Sequence, residues 1–235
     1  FIRFGGANYE AFVFLNGIYL GHHQGGFTPF FAEATGCLQA DNRLLVVVDN
    51  TRDAGRVPAD TFDWFNYGGL HREVALIRTH SALIRDLYVA LVPDDEYRHI
   101  RVRAEVEIPA GTEEPASFVF RIPELGIETE LGHTNGIVET TLEKEMELWS
   151  PENPRLYDVE ACYGEDRVAD RVGFRQVEVD EQTVLFNEHP TTFKGVAAHE
   201  ESSENGRSLT PSEVQENVER LKELKGNFLR LAHYP

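Results

Sequence analysis

The residues best suited to chemistry follow short apolar runs. "NFLRLAHYP" (Asn227 to Pro235) rises through a strand-like stretch to Arg230, passes His233 and closes on a proline. A strand of this kind delivers a guanidinium, which donates charge-assisted hydrogen bonds, and an imidazole, which can donate or accept, to whatever lies at its end. "GVAAHE" places His199 and Glu200 after another such run. Asp63 lies in "TRDAGRVPADTFDWFNYGGLHR", a loop too long and too aromatic to be a linker. Long aromatic loops in compact domains are functional or are packed over something.

Other candidate groups read as structural. Asn187-Glu188, in "LFNEHPTT", has the composition of a hairpin turn rather than of an acid/base pair. With 40 acidic residues in the chain, chance carboxylate pairs are cheap, so no acid here earns a catalytic role. Cys37 and Cys162 have no CxxC or Cys/His neighbours, so they read as two small buried thiols, without a disulfide framework or a zinc cluster. His22 and His23, beside a predicted hairpin, read as surface histidines, and Trp64 and Trp149 as buried aromatics of sandwich cores. The paired glycines of "GGANY", "QGG" and "YGGL" lack the spacing that cradles phosphate and read as tight turns and close backbone approaches.

The elements that must position these groups are mostly strands. "AFVFLNGIYLG" sets two apolar segments around Asn16-Gly17, a strong hairpin signal. "NRLLVVVDN" (Asn42 to Asn50) and "EVALIRT" (Glu73 to Thr79) read as buried strands. From about Ser81 to Val177, "ALIRDLYVALV", "RHIRVRAEVEI", "ASFVFRI", "RLYDVEACYG" and "DRVADRVGFRQVEV" predict a second antiparallel sandwich. "WSPENPRLYDVEA", with two prolines, predicts an extended edge or loop. "TVLFNEHPTTFKGV" predicts a hairpin feeding a strand. "LTPSEVQENVERLKELKG" is the one convincing helix, with Thr210 as N-cap, Pro211 in the first position, Glu213 closing a capping box and Gly226 as the stop. "NFLRLA" then returns as a strand, so the end of the chain is one βαβ unit of a parallel sheet.

Composition excludes several function classes. The 235 residues are 41% hydrophobic and carry 40 acidic against 22 basic residues, a net charge of −18. Only four of the basic residues are lysines. Charge of this sign argues against nucleic acid or an anionic membrane as partner. No apolar run approaches the roughly 20 residues that span a bilayer. The acids are scattered, as on a solvated surface, and predict a salt-adapted protein whose self-repulsion is screened at molar salt. The compartment is left open: a cytoplasmic protein, from a high-salt organism, fits the composition.

Two sandwiches followed by the start of a parallel sheet form an unusual order. With "NYEAFVFLNGIYLGHHQGGFTPF", "DWFNYGGLHREVAL", "LWSPENPRLY", "VGFRQVEV", "FKGVAAHE" and "NFLRLAHYP", the chain resembles the glycoside hydrolases of family 2, the β-galactosidase and β-glucuronidase group. The resemblance implies a jelly-roll sugar-binding domain over 1–80, an immunoglobulin-like sandwich over 81–177 and the start of a (β/α)8 barrel over 178–235. Barrels need about 250 residues, so the chain reads as a fragment cut at both ends. Leu231 departs from the family, which usually has a small residue after the arginine; a local repacking is expected.

The same resemblance implies hydrolysis of terminal β-linked sugars, β-galactosides first and β-glucuronides as the alternative. A non-catalytic carbohydrate-binding scaffold is the competing reading. The family's two catalytic glutamates fall beyond Pro235. What this chain contributes is substrate binding: Asp63 projecting into the barrel mouth, in some members through a sodium ion; His199 with Glu200 after the first barrel strand; His233 reaching the sugar; and Arg230 orienting the nucleophile. No cofactor is required by this chain, although the full enzyme can use sodium or magnesium. Unpaired strand edges at both ends also predict a homo-oligomer.

Overall fold

The computed structural model describes residues 1–79, 82–94 and 96–233. They group into two compact units, Phe1–Arg78 with Phe193–Pro235 and Thr79–Thr192. In the first unit, Ile2–Phe4 pairs with Phe30–Ala32 and Val74–Leu76, and Glu10–Leu15 pairs with Ile18–Gln24 and Leu44–Asp49, all antiparallel. Alternation along Glu10–Leu15 buries Ala11, Val13 and Leu15. Val13 and Leu15 pack with Ile2, Phe4, Ala32 and Ala34 as the core. Asn16 (φ 54°) and Gly17 (φ 81°) make the predicted hairpin turn.

Two strands expected to be buried are not. Leu44–Asp49 and Val74–Leu76 lie at sheet edges, and Leu45, Val47 and Leu76 are 51%, 48% and 68% exposed. An unbroken Leu/Val run fits a strand buried on both faces, but at an edge only one side pairs and one face meets the core. His22 is a surface residue, bonded through Nε2 to Glu10 at 2.9 Å. His23 departs from expectation: it is half-buried, stacked on Phe30 with ring centroids 4.3 Å apart, and burial lowers its imidazole pKa.

The second unit is a sandwich. One sheet runs in the order Ile137–Glu143, His99–Glu107, Leu83–Leu91; the other runs Ile127–Leu131, Phe118–Ile122, Tyr157–Tyr163, Asp166–Val172. Strict alternation sends Ile100, Val102 and Ala104 from one sheet, and Phe118, Phe120, Ile122, Val159 and Ala161 from the other, into a single core. The strands Ile127–Leu131 and Ile137–Glu143 were not expected from the sequence.

A three-stranded meander, Val177–Asp180, Thr183–Phe186 and His189–Thr191, completes the unit. Asn187 (φ 46°) and Glu188 (φ 67°) form its second turn, the structural role expected of them. Asn187 Nδ2 donates to the Trp149 carbonyl at 3.0 Å, and its Oδ1 accepts from the Gln176 N–H at 2.9 Å. Trp149 is half-buried, packed against Phe186. The thiols of Cys37 and Cys162 are free and half-buried rather than fully buried.

The chain returns to the first unit as a βαβ element. Gly195–Ala198 and Phe228–Leu231 are parallel neighbours, joined through the helix Pro211–Glu223. Thr210 accepts from the Glu213 N–H, and Glu213 bonds back, completing the capping box. The Glu213 carboxyl is held down to about 2, first by the Ser202 hydroxyl and then by the Thr210 N–H and hydroxyl. A carboxyl so lowered adds stability above its ordinary value near 4.5 and loses it as the pH falls toward about 2. Thr210→Ala is expected to cost about 1 kcal/mol in urea unfolding, with the transition otherwise unchanged. A cost below a few tenths would show that the cap adds nothing.

The helix stop differs from expectation. The left-handed residue is Lys225 (φ 55°), not Gly226. A side chain at Gly226 would strike the Leu221 side chain, so this glycine is needed for close packing rather than for its backbone angles.

Candidate functional site

Because Gly195–Ala198 and Phe228–Leu231 run parallel, the residues that follow them emerge at the same end. His199 directly follows the first strand, and His233 lies just past the second. Their rings meet edge to face with centroids 5.1 Å apart. Trp64 wedges against both, 4.5 Å from His233 and 6.0 Å from His199, each again edge to face. Trp64 is 7% exposed and clusters with Phe27. It is therefore buried, but in this cluster and not in the sandwich core where the sequence had suggested.

The other expected site residues are placed more loosely. Asp63 is exposed, one position before the Trp64 wedge. Arg230 is exposed and sits opposite Ala197, on the strand face alternate to Leu229 and Leu231. Glu200 accepts from Arg72 Nη2 at 3.3 Å, and Arg72 Nη1 donates to the Phe27 carbonyl at 2.7 Å. Tyr234 and Pro235, the end of the "HYP" motif, lie outside the described residues, as do His80 and Ser81 at the first expected domain boundary.

Three participants were invisible in the sequence: Phe27, Glu201 and Arg207. The Arg207 side chain is 3% exposed. Its guanidinium lies 5.3 Å from the Phe27 ring, 5.6 Å from Trp64 and 5.6 Å from Tyr67. Nη2 donates to Glu201 Oε1 at 3.1 Å and to the Phe65 carbonyl at 3.2 Å. The same Glu201 oxygen is 3.6 Å from His199 Nδ1. Arg207 follows Gly206, whose φ of 55° favours glycine and where a Cβ would lie 3.1 Å from the Tyr67 ring, so a side chain there would have to push that ring aside. Nothing in "SSENGRSLT" signals this: a polar loop has no periodicity from which to read a buried cation.

His71 sits under the cluster, 7% exposed, donating through Nε2 to the Gly26 carbonyl at 2.7 Å. Burial lowers its pKa first of all, with Arg72 and Arg207 adding to the effect and the Gly26 bond and Glu200 opposing it. A histidine with a lowered folded pKa favours the fold above its unfolded pKa, near 6.5, and this advantage is lost as the pH falls below that value. Urea unfolding followed by Trp64 emission, in a Trp149→Phe background, should therefore show stability declining as the pH falls below about 6.5. His71→Gln should make that slope shallower, with His23 and the carboxylates that the fold holds down supplying the remainder. An undiminished slope in His71→Gln would refute this assignment.

A cavity of about 350 Å³ opens beside the cluster, lined among others by His71, Arg207, Val214, Val218, Leu229 and Leu231. Apolar side chains of the helix and strand form one part of its wall, and His71, Arg72, His199, Glu200 and Arg207 form another. Leu231, the residue that departs from the family pattern, forms part of that apolar wall. As for a cation, Asp63 offers one exposed carboxylate, and among the described residues no group of three or more His, Cys, Asp or Glu is placed to hold a metal ion.

The chain has recognisable relatives along its whole length. Models of glycosyl hydrolases family 2 match it in three consecutive parts: the family's sugar binding domain over residues 1–80, the model named simply glycosyl hydrolases family 2 over 82–175, and the family's TIM barrel domain over 177–235. Strands between Val177 and Thr191 fall inside the barrel match, yet they group with Thr79–Thr192 in space. A β-galactosidase of Actinobacillus pleuropneumoniae is 28% identical over 100% of this chain and 23% of its own length. A β-glucuronidase of Paenibacillus borealis is 30% identical over 98% of this chain and 42% of its own. Among solved structures, a β-galacturonidase from Eisenbergiella tayi bound to galacturonate has a TM-score of 0.83 at 25% identity, covering 100% of this chain and 44% of that one. A β-glucuronidase from an uncultured Clostridium has a TM-score of 0.79 at 30% identity, covering 100% and 42%. The chain thus spans less than half the length of each of these relatives.

Proposed function

Because the chain belongs to glycosyl hydrolases family 2, we propose that it forms the sugar-gripping N-terminal part of a retaining β-glycosidase. The observation that carries this reading is the convergence of Trp64, His199 and His233 at the C-terminal ends of two parallel strands. Imidazole N–H groups and a nearby carboxylate, Asp63, suit pyranose hydroxyls, which both donate and accept. Retaining hydrolysis also needs two carboxyl groups about 5–5.5 Å apart. Glu200 is engaged with Arg72, and Glu201 with Arg207. Following the family resemblance, the acid/base and the nucleophile are assigned to polypeptide beyond Pro235, with Arg230 orienting the nucleophile.

β-Galactosides are the first substrate class. The two solved uronidases above favour β-uronides as the second reading. The test is a nitrophenyl β-glycoside panel containing galactoside, glucuronide and galacturonide. It is run on the longer polypeptide that contains this chain and on the 235-residue chain alone. The longer protein should hydrolyse one member with retention of configuration at the anomeric carbon, and the 235-residue chain should hydrolyse none. A longer protein inert toward the whole panel would favour a carbohydrate-binding scaffold and end this reading.

A further inference from the structure

We propose that Arg207 is a positioning residue for the sugar site: its buried guanidinium fixes the Trp64 wedge against His199 and His233. This rests on the reading above, which makes those two histidines the sugar-binding groups. The argument starts from the cost of the cation. A charge this deeply buried persists only where a counter-charge and polarisable neighbours offset its lost hydration. Arg207 donates to Glu201 and to the Phe65 carbonyl, and its plane lies among the rings of Phe27, Trp64 and Tyr67. It thereby joins two segments distant in sequence. One is the aromatic loop, held through Trp64, Phe65 and Tyr67. The other is the turn after the first parallel strand, held through Glu201, whose same oxygen faces His199.

A planar cation is required for this. Lysine keeps the charge and has donors enough for both oxygens, which Arg207 reaches through Nη2 alone, but it has no plane to lay among three rings. The contacts leave Trp64 with its edge or face toward both imidazoles at 4.5 and 6.0 Å, within range of its ring current. Loss of Arg207 is thus predicted to release the wedge while leaving the sandwich core of Ile2, Phe4, Val13 and Leu15 in place.

The test uses Arg207→Lys and Arg207→Met in the 235-residue chain and in the longer polypeptide. In the chain, the imidazole proton resonances of His199 and His233 should lose their Trp64 ring-current displacement in both variants, while circular dichroism stays unchanged. His199→Gln and His233→Gln controls assign the resonances. In the longer polypeptide, KM for the preferred nitrophenyl glycoside should rise about tenfold, as for one lost hydrogen bond to the sugar. Arg207→Lys should restore less than half of what Arg207→Met removes. Folded variants with unmoved resonances would overturn the proposal, as would loss of the fold in both variants, which would make Arg207 merely structural. If the unmutated longer protein cleaves no glycoside, the functional reading fails, whereas the resonances still decide the geometry.

Discussion

Phe120→Ala is expected to destabilise the Thr79–Thr192 unit by about 3–5 kcal/mol, a large share of the roughly 5–15 kcal/mol typical of a domain. Phe120 is 0% exposed and sits in the middle of a central strand, facing Thr129 on one side and Ala161 on the other in the ladder. Its side chain belongs to the core built from both sheets, with Ile100, Val102 and Val138 in the opposing sheet. Those residues are β-branched and held in paired strands, so they cannot collapse into the void; the cavity cost adds to the transfer cost. Trp149, packed on Phe186 within this unit, reports the unfolding, read in a Trp64→Phe background. The control is Val119→Ala, one residue away on the opposite face and half-exposed, which should cost less than about 1.5 kcal/mol. Equal midpoint shifts for the two variants would mean that the alternation along Phe118–Ile122 does not set the core.

The elements written in strong local chemistry were legible in the sequence. The Asn16-Gly17 turn, the Thr210–Glu213 capping box and the alternating strands of the second sandwich each rest on interactions within a few residues of one another. Burial was less legible. The Leu/Val run of Leu44–Asp49 reads the same whether the strand is central or at an edge, because edge position depends on which other strands pair with it. Ile127–Leu131 was missed because it is only five residues long and places Thr129 in the middle of its inward-facing set, which leaves the alternation short and weakly apolar. The site divides in the same way. His199 and His233 follow strands and so could be anticipated. Arg207 and Glu201 lie in an irregular polar loop, and only the tertiary fold brings Arg207 against Phe65, 142 positions earlier. Trp64 carried no local mark to distinguish a site wedge from a core residue.

His233→Phe, made in the longer polypeptide, is expected to lower kcat/KM by about 10–100-fold, equivalent to about 1.5–3 kcal/mol, the range for a hydrogen bond to a charged or strongly polarised group. The choice of phenylalanine separates chemistry from packing. His233 meets Trp64 edge to face at 4.5 Å and His199 at 5.1 Å, and a benzene ring can keep both contacts. What it removes is the pair of ring nitrogens, and with them the hydrogen bond to a sugar hydroxyl that the proposed function assigns to His233. A substrate hydroxyl left without that partner is the penalty the rate should register. His233 lies in the left-handed region (φ 75°), which phenylalanine adopts less readily than histidine, so the 235-residue chain should lose about 1 kcal/mol of stability while staying folded. The direction of the loss identifies the step: a rise in KM at constant kcat means the bond is equal in ground and transition states, whereas a fall in kcat means it strengthens as the sugar flattens toward the oxocarbenium ion. Full activity in a stably folded His233→Phe protein would remove His233 from the sugar site and leave its ring as packing for Trp64.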